Sequence, residues 1–97
     1  MLDCTGWIVR SEAGHDKNDL FCVVGSRDSL LLLANGKQRK AAKPKAKKPG
    51  HVHVLDQGGF DHPVIRKLQN NETVSDRELR SALAAFKGGN DSWQKTI

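Results

Sequence analysis

The chain lacks any hydrophobic run long enough to cross a membrane. Its longest unbroken aliphatic run, residues 30–34, is far short of the roughly 20 apolar residues that span a bilayer. The first residues carry neither the basic segment nor the apolar segment of a secretion signal. The sequence therefore predicts a soluble, cytoplasmic protein that is not exported and does not bind membranes.

Cysteine is scarce, and its spacing is not that of a metal site. Cys4 and Cys22 could pair in principle, but a cytoplasmic protein normally keeps its thiols reduced. His51 and His53 would complete a set of zinc ligands with them, yet the Cys-x-x-Cys pair that organises most such sites is missing. We expect no disulfide, no metal and no cofactor.

Motifs of catalysis are missing too. The chain has no Gly-rich phosphate loop before a helix, no His-Glu-x-x-His and no nucleophile elbow. Its 97 residues, of which 37% are hydrophobic, make one small domain with a modest core and no large buried pocket. His15 and Asp16 lie near Ser11, but a polar loop accounts for them. We expect no enzymatic activity.

Positive charge is in excess, and it is concentrated in one segment. The formal net charge is +5, and residues 37–48 hold seven of the 16 cations and no acid. These cations are Lys37, Arg39, Lys40, Lys43, Lys45, Lys47 and Lys48. Such a segment repels itself and stays extended until it meets a polyanion. A loop whose lysines only aid solubility is the other interpretation, and a membrane surface would need more apolar residues beside the cations. Nucleic acid is the predicted partner.

Five short segments have the composition of β-strands: residues 5–10, 20–24, 30–34, 37–40 and 51–55. A polar loop at 11–19 and a turn at 26–29 separate the first three. Asn35-Gly36 is the dipeptide typical of a type I′ turn, which needs positive φ at both residues, so we expect residues 37–40 to return as a strand. A cationic linker runs from there to residue 50. The pattern predicts a small closed or partly closed barrel.

The rest of the chain is predicted to be helical. Ser75 and Glu78 form a capping box before a helix at 76–87, and Gly88 supplies its stop. One face of that helix is apolar: Leu79, Ala82, Leu83 and Phe86. A shorter helix starts at Asp61-His62-Pro63 and runs through residue 69. We expect a barrel at 1–57, a linker at 58–60, a helical extension at 61–88 and a flexible tail at 89–97 that includes Trp93.

The first half of the chain resembles a known family. A strand at 5–11, a loop that contains Gly14, Asp16 and Lys17, and a second strand at 20–24 resemble the KOW motif. The stretch from 6 to 55 is similar to the KOW-domain ribosomal proteins of the archaeal and eukaryotic large subunit, the fourteen-e type. It also resembles the short KOW-domain RNA-binding proteins of Gram-positive bacteria. The resemblance covers about half of the chain.

The resemblance implies an SH3-like five-stranded barrel that binds RNA, usually ribosomal RNA, and performs no catalysis. By position it assigns Ser11, Gly14, Asp16 and Lys17 to the family's first loop. It assigns Arg39, Lys40, Lys43 and Lys45 to the family's basic strand and the loop after it. Asn18 stands where the family has glycine, and asparagine can adopt the same left-handed conformation.

Basic side chains donate hydrogen bonds to phosphate oxygens and release counterions, so they are the candidate RNA-binding residues. The candidates are Lys17, Arg39, Lys40, Lys43, Lys45, Lys47, Lys48, His51 and His53. The predicted partner is ribosomal RNA of the large subunit, with ribosomal proteins beside it, and the protein is a monomer outside that complex. The alternative is a protein-interaction module in which the barrel or the apolar helix face binds a protein.

Overall fold

The computed structural model describes residues 3–89, which form an antiparallel sheet and two α-helices. The strands are β1 (Ile8–Ser11), β2 (Leu20–Arg27), β3 (Leu30–Ala34), β4 (Lys45–Lys47) and β5 (Val52–Asp56). The helices are α1 (Pro63–Gln69) and α2 (Asp76–Gly89), and a short 3₁₀ turn (Pro49–His51) precedes β5. A mainly β fold with two C-terminal helices is thus confirmed. Neither helix in this part of the chain is both long and apolar enough to span a bilayer.

The sheet has the strand order β4-β3-β2-β1-β5, and every neighbouring pair is antiparallel. β4 and β5 are therefore the two edges, and within residues 3–89 no backbone ladder joins them. Consecutive strands pair from β1 to β4, whereas β5 crosses to the far edge and pairs with β1. In its hydrogen bonding the sheet is open.

The predicted strand at 37–40 is wrong, because the asparagine before it folds the backbone into a tight loop. The side-chain Oδ1 of Asn35 accepts hydrogen bonds from the backbone N–H groups of Lys37 (3.0 Å) and Arg39 (3.1 Å). The backbone N–H groups of Asn35 and Gly36 both donate to the carbonyl of Arg39. Of the two residues Asn35 and Gly36, only Gly36 has a positive φ, so the type I′ prediction is wrong as well. The returning strand is β4, inside the segment predicted to be a linker.

A turn with positive φ at both central residues lies instead at Asp28 and Ser29 (φ 52° and 68°). They join β2 to β3 between the paired residues Arg27 and Leu30, which is the geometry of a type I′ hairpin. The turn predicted at 26–29 is therefore confined to 28–29, because residues 26–27 continue β2. Asn18 has φ 75°, so the left-handed conformation expected there is confirmed.

Successive side chains of a strand point to opposite faces of the sheet. In this sheet, both faces carry buried side chains. One face contributes Ile8 and Cys22 to a core that it shares with α1 and α2. The other face contributes its own cluster of five buried side chains: Val9, Phe21, Val23, Leu31 and Leu33. Trp7 and Val54 are partly buried and pack against this second cluster. The helices thus belong to the same packed structure as the central strands.

The capping box before α2 is confirmed. The backbone N–H of Ser75 donates to Oε1 of Glu78 (2.9 Å), and the backbone N–H of Glu78 donates to Oγ of Ser75 (3.1 Å). The predicted stop at Gly88 is wrong, since α2 continues to Gly89; a glycine weakens a helix by about 1 kcal/mol relative to alanine but does not break it. The rest of the predicted tail, with Trp93, lies outside the described residues.

Glu78 should make the stability of the protein depend on pH. A hydrogen bond from Lys67 (2.6 Å), and after it the backbone N–H of Ser75, lower the pKa of Glu78 below its ordinary 4.5. A carboxylate with a lowered pKa stabilises the fold above its unfolded-state pKa, and this contribution disappears as the pH falls through its folded-state pKa. We expect Glu78→Gln, which can still accept from Ser75, to be less stable than the parent at neutral pH. The difference should close in acid.

Urea unfolding of both proteins between about pH 7 and pH 3 measures that difference. A gap in unfolding free energy that stayed constant over this range would show that the carboxylate contributes packing alone and no ionic interaction.

Candidate nucleic-acid interface

Two loops that carry several of the candidate residues lie at the same end of the sheet. The first loop, residues 12–19, leaves β1 after Ser11, and the second loop, residues 35–44, leaves β3 after Ala34. Because β1, β2 and β3 are antiparallel neighbours, the end of β1, the start of β2 and the end of β3 meet at one end of the sheet. The two loops are thereby brought together although they are distant in sequence.

A concavity of about 310 Å³ lies between these loops, β4 and the 3₁₀ turn. Its lining, here called the basic concavity, consists of Ala13, Gly14, His15, Asp16, Arg39, Lys45, Lys47 and His51. Four of the nine candidate residues are in this set: Arg39, Lys45, Lys47 and His51. The backbone N–H of Glu12 donates to the carbonyl of His51 (2.8 Å) and so fixes the first loop against the 3₁₀ turn.

Lys47 differs from the other lysines of the segment because its ammonium group is used inside the protein. The residue is only 9% exposed, and its Nζ donates to Oγ of Ser11 (2.8 Å) and to the carbonyl of Ala13 (2.9 Å). A buried cation needs such partners to offset the loss of hydration. Lys47 therefore ties β4 to the end of β1.

Arg39 links the two loops through an ion pair. Its Nη2 donates to Oδ2 of Asp16 (3.0 Å), and the Asp16 side chain is only 8% exposed. About a third of the Arg39 side chain is exposed, while its Nε is a buried donor with no hydrogen-bond partner among the described residues. One carboxylate thus neutralises part of the positive charge of the basic concavity and fixes the guanidinium in place.

The remaining candidates are all exposed and lie outside the lining of this concavity: Lys17, Lys40, Lys43, Lys48 and His53. His53 is on β5, paired in register with Arg10 of β1. The structure thus brings four candidates together and leaves five elsewhere on the protein surface. His15, which was not a candidate, joins the four in the lining of the concavity.

Helix α2 holds the second loop, a role that the sequence analysis missed. Oδ1 of Asp76 accepts a hydrogen bond from the backbone N–H of Ala41 (2.6 Å), and Nη1 of Arg80 donates to the carbonyl of Gly36 (2.7 Å). These partners are 35 and 44 residues apart in sequence. No local pattern signals such a contact, although the sequence shows both the acid at the start of the helix and the glycine in the loop.

The described residues contain no group of three or more His, Cys, Asp or Glu side chains that could hold a metal ion. Cys4 and Cys22 are free thiols on opposite faces of the sheet: Cys22 is buried in the core shared with the helices, and Cys4 is partly buried against the other cluster. Burial raises the pKa of Cys22 to about 12, so its thiol stays protonated at neutral pH.

Comparison of the chain with models of known protein families and with curated proteins finds no significant match.

Proposed function

We propose that this protein is a non-catalytic RNA-binding protein that contacts ribosomal RNA. The observation that carries the proposal is the convergence of Arg39 of the second loop and Lys45 and Lys47 of β4 on the basic concavity, with further exposed lysines on the loops that line it. Each phosphate neutralised by such a cation releases counterions, and this release supplies most of the sequence-independent affinity. The choice of ribosomal RNA of the large subunit follows from the resemblance to the KOW-domain proteins.

The proposed barrel is supported by the shortness of the connection between the two edge strands. In a flat five-stranded sheet the edges are separated by four strand spacings, about 19 Å. Only residues 48–51 join β4 to β5, and even a fully extended connection of that length spans only about 17 Å. Part of it is a 3₁₀ turn, which is shorter still. We therefore propose that the sheet curls into an SH3-like barrel of the KOW type.

Burial on the second face of the sheet supports the same curvature. Phe21, Val23 and Leu33 are at most 1% exposed, although both helices share their core with the opposite face. A sheet that curls over this face buries it without a further layer.

A protein-interaction module is the less favoured function. The apolar face of α2, which could have met a protein partner, is buried in the core. Leu79 and Ala82 are 0% exposed and Leu83 is 6% exposed. Because that face is buried, it is not available to a protein partner in the folded protein. The apolar face of α2 therefore does not support a protein-interaction function.

We expect the triple substitution of Lys43, Lys45 and Lys48 by glutamine to weaken RNA binding and to reduce its salt dependence. Lys47 is left in place because its buried ammonium holds β4. Three lost phosphate contacts should reduce the slope of log K against log salt by about 2 to 2.7, at roughly 0.7 to 0.9 per phosphate. Fluorescence anisotropy with a fluorescein-labelled RNA stem-loop at about 50 to 200 mM salt measures this slope.

The control variant is Arg27→Gln with Arg66→Gln, which removes two exposed cations that line neither the basic concavity nor a second concavity beside α2. An equal loss of slope per charge in the control would show that net charge alone matters. Absence of RNA binding by the parent would refute the proposed function.

Sedimentation in a sucrose gradient tests the proposed contact with ribosomal RNA. In a lysate of the host, the parent should sediment with the large subunit and be released by nuclease. Sedimentation at the top of the gradient both with and without nuclease would argue against that contact.

A further inference from the structure

A second and larger concavity, of about 560 Å³, lies between the two loops and α2. It is called here the α2 groove. Lys37 from the second loop and Arg80 and Lys87 from α2 contribute three cations to its lining, against the single carboxylate of Asp19. Its floor includes the buried side chains of Leu20 and Leu83. The lining of the groove thus has a net positive charge, with cations from both the second loop and α2.

The cations of α2 are arranged along the groove. Arg80 and Lys87 are seven residues apart, which is about two helical turns, so they lie on the same side of the helix and about 10 Å apart along its axis. Lys37 and Lys87 are exposed, while Arg80 is anchored by its hydrogen bond to the Gly36 carbonyl. Two exposed lysines and one hydrogen-bonded arginine therefore line a single concavity.

The α2 groove adjoins the basic concavity, because the same two loops line both. In the first loop, Asp16 lines the basic concavity, and Asp19, three residues later, lines the α2 groove. In the second loop, Arg39 lines the basic concavity, and Lys37 lines the α2 groove. A polyanion that crosses these loops meets both cavities in succession.

We propose that the α2 groove continues the RNA-binding surface and that Lys37, Arg80 and Lys87 contact phosphates of the same RNA. This inference rests on the proposed function and extends it, since it makes the helical part of the chain a portion of the interface. Continuity with the basic concavity favours the sugar-phosphate backbone of RNA as the occupant over an acidic protein segment.

The test is the double variant Lys37→Gln with Lys87→Gln, which leaves the hydrogen bond of Arg80 intact. Both side chains are exposed, so the thermal midpoint should stay close to that of the parent. With the fluorescein-labelled RNA stem-loop at about 50 to 200 mM salt, the slope of log K against log salt should fall by about 1.4 to 1.8. Lys87→Gln alone should give about half of that change and provides a second measurement should the double variant unfold.

Arg27→Gln with Arg66→Gln removes the same charge and is the matched control, with an unchanged slope expected. An equal loss of slope in the control would overturn the inference, as would a parental slope in the groove variant. In both cases RNA binding by the parent would leave the proposed function standing. No binding by the parent would overturn both. If polyglutamate bound the parent but not the groove variant, while the RNA slopes of the two proteins were equal, the groove would be a site for acidic protein segments instead.

Discussion

Replacement of Leu79 by alanine is expected to lower the free energy of unfolding by about 2 to 5 kcal/mol. Leu79 is on α2 and 0% exposed, in the cluster that includes Ile8 and Cys22 of the sheet and Ile65 of α1. Truncation removes buried apolar surface and leaves a cavity where the sheet and both helices meet. We therefore expect the sheet and the helices to lose stability together.

Urea unfolding followed by two probes tests this expectation. Far-ultraviolet circular dichroism reports mainly on the helices, and tryptophan fluorescence in a Trp93→Phe background reports on Trp7, which packs against the sheet. The two midpoints should coincide and move together in Leu79→Ala. Ser81→Ala, an exposed change on the same helix, should alter stability by less than about 0.5 kcal/mol. A sheet transition that did not move would show that the helices unfold as a separate unit.

Local chemistry made α2 predictable from the sequence. Ser75 and Glu78 satisfy each other's backbone N–H groups within four residues of chain, so no distant contact is needed to recognise the start of the helix. The strands from 20 and from 30 were equally visible as β-rich runs bounded by turn residues. The residues that determine these elements lie close together in the sequence, so a local pattern is enough to predict them.

The hairpin turns show where local patterns fail. Asn35-Gly36 is the stronger type I′ signal, yet the Asn35 side chain bonds the backbone of residues 37 and 39 and forms a different loop. Asp28-Ser29 has the weaker signal but adopts positive φ at both residues. There, the register of β2 against β3 leaves only two residues to reverse the chain. Strand pairing overrides the preference of the dipeptide.

The candidate site was predictable in composition but not in arrangement. The sequence indicates a cationic segment at 37–48, and the structure sorts its members by long-range contacts. The ammonium group of Lys47 donates a hydrogen bond to Ser11, and the guanidinium group of Arg39 forms an ion pair with Asp16. Lys45 lines the basic concavity and stays exposed. Because these partners are 36 and 23 residues away in sequence, spacing within the segment could not separate structural cations from those free to meet phosphate.

Replacement of Gly36 by alanine is expected to lower the free energy of unfolding by about 2 to 4 kcal/mol and to displace the second loop. Gly36 has φ +78°, and a Cβ there would lie 2.2 Å from the backbone carbonyl oxygen of Asp76. The loop would have to move away from α2, which strains the bonds from Arg80 to the Gly36 carbonyl and from Ala41 to Asp76.

Thermal and urea unfolding of Gly36→Ala, with Gly50→Ala as the matched control, measures how firmly the helix holds the loop. Gly50 has no positive φ and a Cβ there would meet no atom within 4 Å, so its substitution should be neutral or stabilise by up to about 1 kcal/mol. Since Arg39 and Lys37 are on the displaced loop, Gly36→Ala should also weaken binding of the RNA stem-loop under conditions where the variant is still folded. Parental stability of Gly36→Ala would mean that the loop is not held by α2, and the helix would then have no part in arranging the cations of the second loop.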